Sequence, residues 1–384
     1  MIRLGDICKK TENIKSTFCG TIDYIDISSV DNEKKAVIST QEYEYSAAPS
    51  RAKQLVEIGD ILISNVRPNL NAVALITDKT NNTLVASTGY TVIRCNNTAY
   101  NKYVFFFCQY SGFVDLLTSQ ATGASYPAVN AGIIKNTEIP FPSLEKQHII
   151  ADTLDKLQSI ITHRKQQLLK LDELVKARFV DMFGEPYNNP MHWTETTVGK
   201  ECYYIKDGPH KSLSDIGKEN GGHPFISVRN IVNHTIDFTS AKYISDEDYA
   251  EARKKCCPEK GDMLYSKGGT TGIAKLIDVD VEFANWVHIA VLKFDKHKLN
   301  GIFFEHMLNC DYCYEQSQRL TKGIANRDLV LSAMAKIRMY LPPLDLQEQF
   351  ATFVEQTNKS KVVVQKALDE AQLLFDSLMQ EYFG

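Results

Sequence analysis

The sequence predicts an α+β chain of two similar globular modules, each followed by one long helix. The two helices pair as an antiparallel coiled coil with pseudo-two-fold symmetry. Three observations carry this prediction. A stretch in the middle of the chain returns at a constant offset of 200 residues: Pro142, Leu144, Gln147 and Ala151 recur as Pro342, Leu344, Gln347 and Ala351, and Leu168, Leu174, Phe183 and Gly184 as Leu368, Leu374, Phe383 and Gly384. Each copy carries an apolar stripe at heptad spacing. Each is preceded by a region dense in strand and turn signals. A duplication of this period decides the architecture before any local motif is read, and 384 residues are too many for one ordinary core.

Residues 1–143 form the first module. Its strand signals are Ile22–Ile27, Asp60–Ile63, Asn71–Ile76 and Tyr90–Arg94, rich in β-branched and aromatic residues and bounded by turn formers. Residues 144–184 form the central helix. Ile150, Leu154, Leu157, Ile161, Leu168, Leu171, Val175 and Met182 fall on alternating steps of four and three, with Arg164 and Arg178 filling two slots. That is an a/d seam held over about five heptads. Residues 185–194, with Pro186, Pro190, Asn188 and Asn189, read as a linker. Residues 195–343 form the second module, with strand signals at Pro224–Val228, Asp262–Ser266, Ala274–Ile277 and Ile289–Phe294. Residues 344–384 form the second long helix. Its seam reads Phe350, Val354, Thr357, Lys361, Val364, Leu368, Ala371, Phe375, Leu378 and Tyr382, more polar in its middle than the first.

Neither helix contains Pro or Gly within its run. Prolines precede both, and Gly184 and Gly384 stand where a glycine stop belongs. Each helix spans roughly 58 Å at about 1.5 Å per residue. An amphipathic helix of that length cannot bury its seam alone, and a strict heptad stripe favours a helix partner over a broad globular face.

Composition sets further bounds. The opening residues lack an apolar signal core, no apolar run is long enough to cross a bilayer, and nine scattered cysteines suit a reducing compartment, so a cytoplasmic protein is expected. The net charge of −4 gives no support for nucleic-acid binding. The deficit lies in Leu344–Gly384, which holds seven acidic and three basic residues, while the rest of the chain balances.

Catalytic motifs are weak. Ser266–Gly272 is glycine-rich after a strand but lacks the Gly-Lys-Ser/Thr end of a phosphate loop. Cys310 and Cys313 with His306 lack the second cysteine pair of a zinc finger and read as packing. Binding signals are better. Asn65, Arg67 and Asn69 follow the strand at Asp60–Ser64 and offer the groups that make two-point bonds to guanine and adenine edges. Lys267, Thr270 and Thr271 occupy the matching place in the second module. Thr122, Ser125 and Tyr126, in Thr122–Tyr126, match Lys322, Asn326 and Arg327, in Lys322–Arg327. From the residues alone, surface hairpins and nucleic-acid contacts stay equally open.

The order of module, proline-led helix start, heptad helix, second module and second such helix carries a resemblance. The helix starts are Ile139-Pro140-Phe141-Pro142-Ser143-Leu144-Glu145-Lys146-Gln147 and Leu341-Pro342-Pro343-Leu344-Asp345-Leu346-Gln347. Each module also holds a Gly-Asp-x-Leu-x-Ser strand, at Gly59–Ser64 and Gly261–Ser266. Over essentially its whole length the chain resembles the DNA-specificity subunit of type I restriction–modification systems.

The resemblance implies a non-catalytic chain. Each module would be a target-recognition domain reading one half-site of a bipartite, asymmetric double-stranded DNA target. The paired helices would fix the unread spacer and, with their flanks, dock two modification subunits. No cofactor is expected in this chain and no membrane partner. S-adenosylmethionine would enter with the modification subunits, and ATP with magnesium with restriction subunits where these are present. The rival readings are a stand-alone DNA-acting enzyme, against which the missing cofactor and metal motifs count, and a protein-only scaffold.

Overall fold

Packing divides the chain into two units, Met1–Gln166 with Val364–Gly384, and Gln167–Val363. The structure is a computed structural model, and it describes every residue except Lys79 and Ala325. Ala325, inside the second candidate loop, therefore lies outside the described residues.

In the first unit, Ile61–Ser64 is the middle strand of an antiparallel sheet between Tyr90–Ile93 and Val73–Leu75. A second sheet orders Gln41–Glu44, Thr21–Ile25, Thr83–Ser87 and Ala52–Leu55, with the central pair parallel. Ile2–Arg3 pairs with Glu138–Ile139 and brings the two ends of the module together. The second unit repeats this plan. Met263–Ser266 lies between Ile289–Phe294 and Ala274–Leu276, with Cys202–Asp207 added on the far edge. His223–Ile226 runs parallel to Ala284–Asn285 and antiparallel to Lys242–Ile244. Thr194–Thr197 closes the module against Arg338–Leu341.

The Gly-Asp-x-Leu-x-Ser strand has a structural cause. Gly59 and Gly261 sit at φ 90° and 88°, where a side chain is strained, and both amides donate across the hairpin, to Ile76 and Ile277. The aspartate that follows is buried and ion-paired. Asp60 receives the Arg94 guanidinium at 2.7 Å, and Asp262 receives Lys293 Nζ at 2.7 Å. Each carboxylate also caps its own turn, through Glu57 N at 2.8 Å and Glu259 N at 2.9 Å. Removing one partner of such a buried pair leaves an uncompensated charge.

The two long helices, Leu144–Phe183 and Leu344–Phe383, each contribute to both units. Within the second unit Asp172 meets Lys361, and Phe183 packs on Phe350 with ring centroids 5.5 Å apart. Numbers rise along one helix as they fall along the other, so the pair is antiparallel. Leu154, Ile161, Val175, Phe350, Val354, Leu368 and Phe375 are buried, while Ile150, Leu157, Leu168, Leu171, Val364 and Leu378 are half-buried.

Towards the helix ends the stripe leaves the heptad. Val175, Phe179 and Phe183, and equally Phe375, Met379 and Phe383, are buried on steps of four, while Arg178 faces solvent. The cause is the surface beneath. Phe183 packs on Phe303 of the helix Gly301–Asn309 at 4.8 Å, and Phe383 packs on Tyr103 of the helix Asn101–Phe107 at 5.2 Å. A globular face takes a wider stripe than a narrow two-helix seam. Each long helix thus ends on the module it does not follow in sequence.

Candidate nucleic-acid interface

The candidate loops that are distant in sequence lie side by side. In the first unit, the chain leaving Ile61–Ser64 is held by Asn65 N donating to Gly89 O, Val129 N to Asn65 O and Arg67 N to Pro127 O, at 2.7–2.8 Å. Thr122 and Ala128 exchange backbone bonds of 3.0 and 2.9 Å. The second unit builds the same frame. Lys267 N donates to His288 O, Leu329 N to Lys267 O and Gly269 N to Arg327 O, and Lys322 and Asp328 exchange bonds of 2.9 Å. These bonds equate Asn65 with Lys267, Arg67 with Gly269, Thr122 with Lys322 and Ala128 with Asp328.

Glycine makes the frame possible. A Cβ on Gly123 would stand 2.9 Å from Tyr126 O, and one on Gly323 would stand 2.2 Å from Asn326 O. Both glycines have positive φ, 105° and 85°.

The side chains on the two frames differ. In the first unit Arg67 is exposed and left-handed, at φ 49°, and Asn71 is left-handed too, at φ 46°. Strain of this kind at non-glycine residues gathers at functional loops. The turn Pro68–Leu70 joins them, and Lys35 Nζ fastens it by donating to Asn71 O at 2.7 Å. The Arg67 guanidinium lies 4.9 Å from the ring centroid of Tyr126, which is 69% exposed. Asn65 accepts from Thr91 Oγ1 at 2.6 Å. Asn69, Thr122 and Ser125 are exposed around them.

In the second unit Lys267 is buried, and its Nζ donates to Asp328 Oδ1 at 2.8 Å with Asp207 Oδ2 at 3.5 Å. Thr271 is buried as well, 3.0 Å from the Thr321 hydroxyl. Gln318 ties the loops by donating to Thr271 O at 2.9 Å and accepting from Arg327. Thr270, Lys322 and Asn326 are exposed. The structure therefore brings the polar surface together from both loop pairs, and turns Lys267 and Thr271 inward to hold it.

The polar run legible in the sequence, Lys322–Arg327, ends one residue short of Asp328, and it does not include Asp207, Trp286 or His288. Nothing in the local pattern marks these residues. Asp207, His288 and Asp328 meet Lys267 only in the folded chain, and Trp286 meets the His288 ring edge-on at 4.7 Å. Burial first, and Lys267 second, hold the His288 imidazole below its ordinary range. Trp286 Nε1 and His288 Nδ1 are buried without a hydrogen-bond partner among the described residues.

Among the described residues no group of three or more His, Cys, Asp and Glu is placed to hold a metal. Cys313 is wholly buried with its thiol toward Arg338 O, and His306 faces the Phe350 ring at 5.2 Å. No described helix is long and apolar enough to cross a membrane.

The family described as the type I restriction modification DNA specificity domain matches this chain at residues 1–171 and 203–370. The chain is 22% identical to the type I restriction enzyme MjaIX specificity subunit of Methanocaldococcus jannaschii, over 96% of this chain and 89% of that protein. It is 20% identical to the EcoBI specificity subunit of Escherichia coli, over 75% of this chain and 65% of that protein. A chain solved in a study of complex assembly and conformational transition of the type I R-M system aligns with a TM-score of 0.63 and 22% identity, covering 99% of this chain and 96% of that one. The S subunit of a type I system from M. genitalium aligns with a TM-score of 0.60 and 15% identity, covering 100% and 95%.

Proposed function

This chain belongs to the type I restriction modification DNA specificity family, and on that premise we propose how its two units divide the work. The chain is a specificity subunit, a DNA-recognising and non-catalytic component of a type I restriction–modification complex. Each unit reads one half-site through its loop frame. The long helices keep the unread spacer constant and dock two modification subunits. Those subunits supply S-adenosylmethionine and methylate adenine. Restriction subunits, in systems that have them, supply ATP-driven translocation and cleavage. The complex works in the cytoplasm.

One observation carries this reading: the same backbone frame occurs twice with different side chains on it. A repeated frame gives both units the same way of approaching a duplex. Different side chains give two unlike half-sites and hence an asymmetric target. Partner subunits account for phosphate neutralisation that this acidic chain lacks. The helices also carry exposed apolar residues suited to docking. Ile149, Ile160 and Leu373 belong to the first unit; Leu169, Val362 and Val363 belong to the second, with Val362 70% exposed.

The test is to express the chain with its modification subunits and map methylated adenines across a genome. The expected result is one bipartite motif with two unlike halves. Exchanging residues 195–343 for the second module of a relative replaces one half alone. Methylation without a bipartite motif, or one indifferent to the exchange, overturns the reading.

A further inference from the structure

We propose that Asp328 specifies a cytosine in the half-site read by the second unit, accepting the N4 amino group in the major groove. This rests on that unit reading DNA, and it goes further by naming a residue and a base.

Asp328 occupies the place that Ala128 holds in the first unit, with the same pair of backbone bonds to the loop start, Lys322 here and Thr122 there. In one reader the position carries a methyl group; in the other, a carboxylate. Its side chain is 44% exposed while its partner Lys267 is 7% exposed. The ammonium therefore lies behind the carboxylate, away from solvent, and the acid faces outward.

An aspartate beside DNA needs such backing, because phosphates repel it. Lys267 Nζ lies 2.8 Å from Asp328 Oδ1 and 3.5 Å from Asp207 Oδ2. Lys255 Nζ in turn holds Asp207 Oδ1 at 3.2 Å. Two lysines balance two aspartates, so the group is neutral as a whole. The local dipole still points its negative end at solvent. His288 does not upset the balance, because burial and Lys267 disfavour its protonation. Gly268 lets the ring lie against the loop, since a Cβ there would stand 1.8 Å from His288 Nδ1. The carboxylate is thereby fixed in direction, as base reading needs.

The chemistry then selects the base. An ionised carboxylate only accepts hydrogen bonds. Guanine offers acceptors at N7 and O6, and thymine an acceptor at O4. Adenine offers a donor at N6 beside an acceptor at N7, which repels the second oxygen. Cytosine offers its N4 donor alone, and it is the standard partner of an acidic side chain.

The test uses the whole complex. The wild-type complex is first assayed on duplexes in which each second-half cytosine is replaced, one at a time, by an analogue lacking the 4-amino group. One replacement is expected to weaken binding by about 5- to 150-fold, the range of a single good base contact. Asp328→Asn should then shift the preference at that position from cytosine towards adenine, because a carboxamide pairs with N6 and N7 together. Asp328→Ala should relax that position, and the first half-site stays unchanged in both variants. A second half-site without a G·C pair, or one insensitive to every replacement, overturns the assignment and leaves the two-reader function standing. A uniform loss on all targets in both variants, with no positional change, makes Asp328 a loop tie and also overturns it. If exchanging the second module leaves the motif unchanged, the underlying reading itself fails.

Discussion

Gln147 Nε2 donates to the Pro142 carbonyl at 3.0 Å, and Gln347 repeats the bond to Pro342 at 2.8 Å. Both amides are fully buried, and each clamps the start of a helix in its module. Gln147 Oε1 accepts from Tyr100 N and Gln347 Oε1 from Asn300 N, both at 2.9 Å. Nε2 also reaches Thr98 O and Lys298 O, each at 3.4 Å. The proline and glutamine of the repeated helix start are therefore one fastening between the long helix and its own module. Gln147→Leu leaves buried groups unpaired and is expected to cost about 2–4 kcal/mol. Hydrogen exchange should quicken around Tyr100 and leave the second unit unchanged. Equal exchange at Tyr100 in both proteins contradicts the clamp.

The aromatic end of the central helix is expected to dominate the second unit's stability. Phe183 touches Phe179, Phe303 and Phe350 with centroids 4.8–5.5 Å apart. Phe183→Ala opens a cavity in that cluster and should cost about 3–5 kcal/mol. Denaturant melts read the loss, and a change below about 1 kcal/mol counts against the packing described.

His306 makes the same unit sensitive to acid. Burial first, then Lys361, His234 and Lys275, bring its pKa down to about 4. The unfolded chain binds the proton more readily, so stability is full above the unfolded value near 6.5 and falls as pH drops from there towards 4. The loss reaches up to about 3 kcal/mol. His306→Gln should flatten the stability profile between pH 6.5 and 4, and an unchanged slope rules His306 out as its source.

Arg67→Ala is expected to relax one base of the first half-site by roughly 1–3 kcal/mol, with the second half-site intact. The guanidinium lies at the Tyr126 ring and, among the described residues, makes no ion pair with an acid, which leaves its donors available. Competition binding against single-base variants reads this directly. A uniform loss across all duplexes, with a shallower salt dependence, instead marks a phosphate contact.

The sequence displayed the architecture because duplication and heptad spacing are periodic signals that survive divergence. It also showed the central strands, since Ile61–Ser64 and Met263–Ser266 are buried on both faces and read as apolar runs. It missed the edge strand Gln41–Glu44, which is mostly exposed and polar. It placed Arg178 in the seam where Phe179 is buried, because a heptad template assumes a helix partner along the whole length. It found both loops of each frame but not their adjacency, which depends on bonds such as Arg67 N to Pro127 O across sixty residues of chain. Asp328 was invisible for the same reason: its meaning comes from Lys267, a neighbour in space alone.

The paired helices each contribute to both units. If they set the unread spacer, lengthening both must change it without touching the half-sites. Seven residues inserted after Gln166 and seven after Val363 preserve the apolar stripe, because the insertion is one heptad. The added rod is about 10 Å, at most about three base-pair steps of 3.4 Å. Each step also turns the duplex by roughly 35°, and that rotation limits how far both modules can follow. The expected outcome is a methylation motif with the same two halves and a spacer longer by about one to three base pairs. The same insertion in one helix alone throws the stripes out of register, and it should lower stability and abolish methylation. An unchanged spacer in the doubly lengthened protein shows that the distance between half-sites is fixed by something other than these helices.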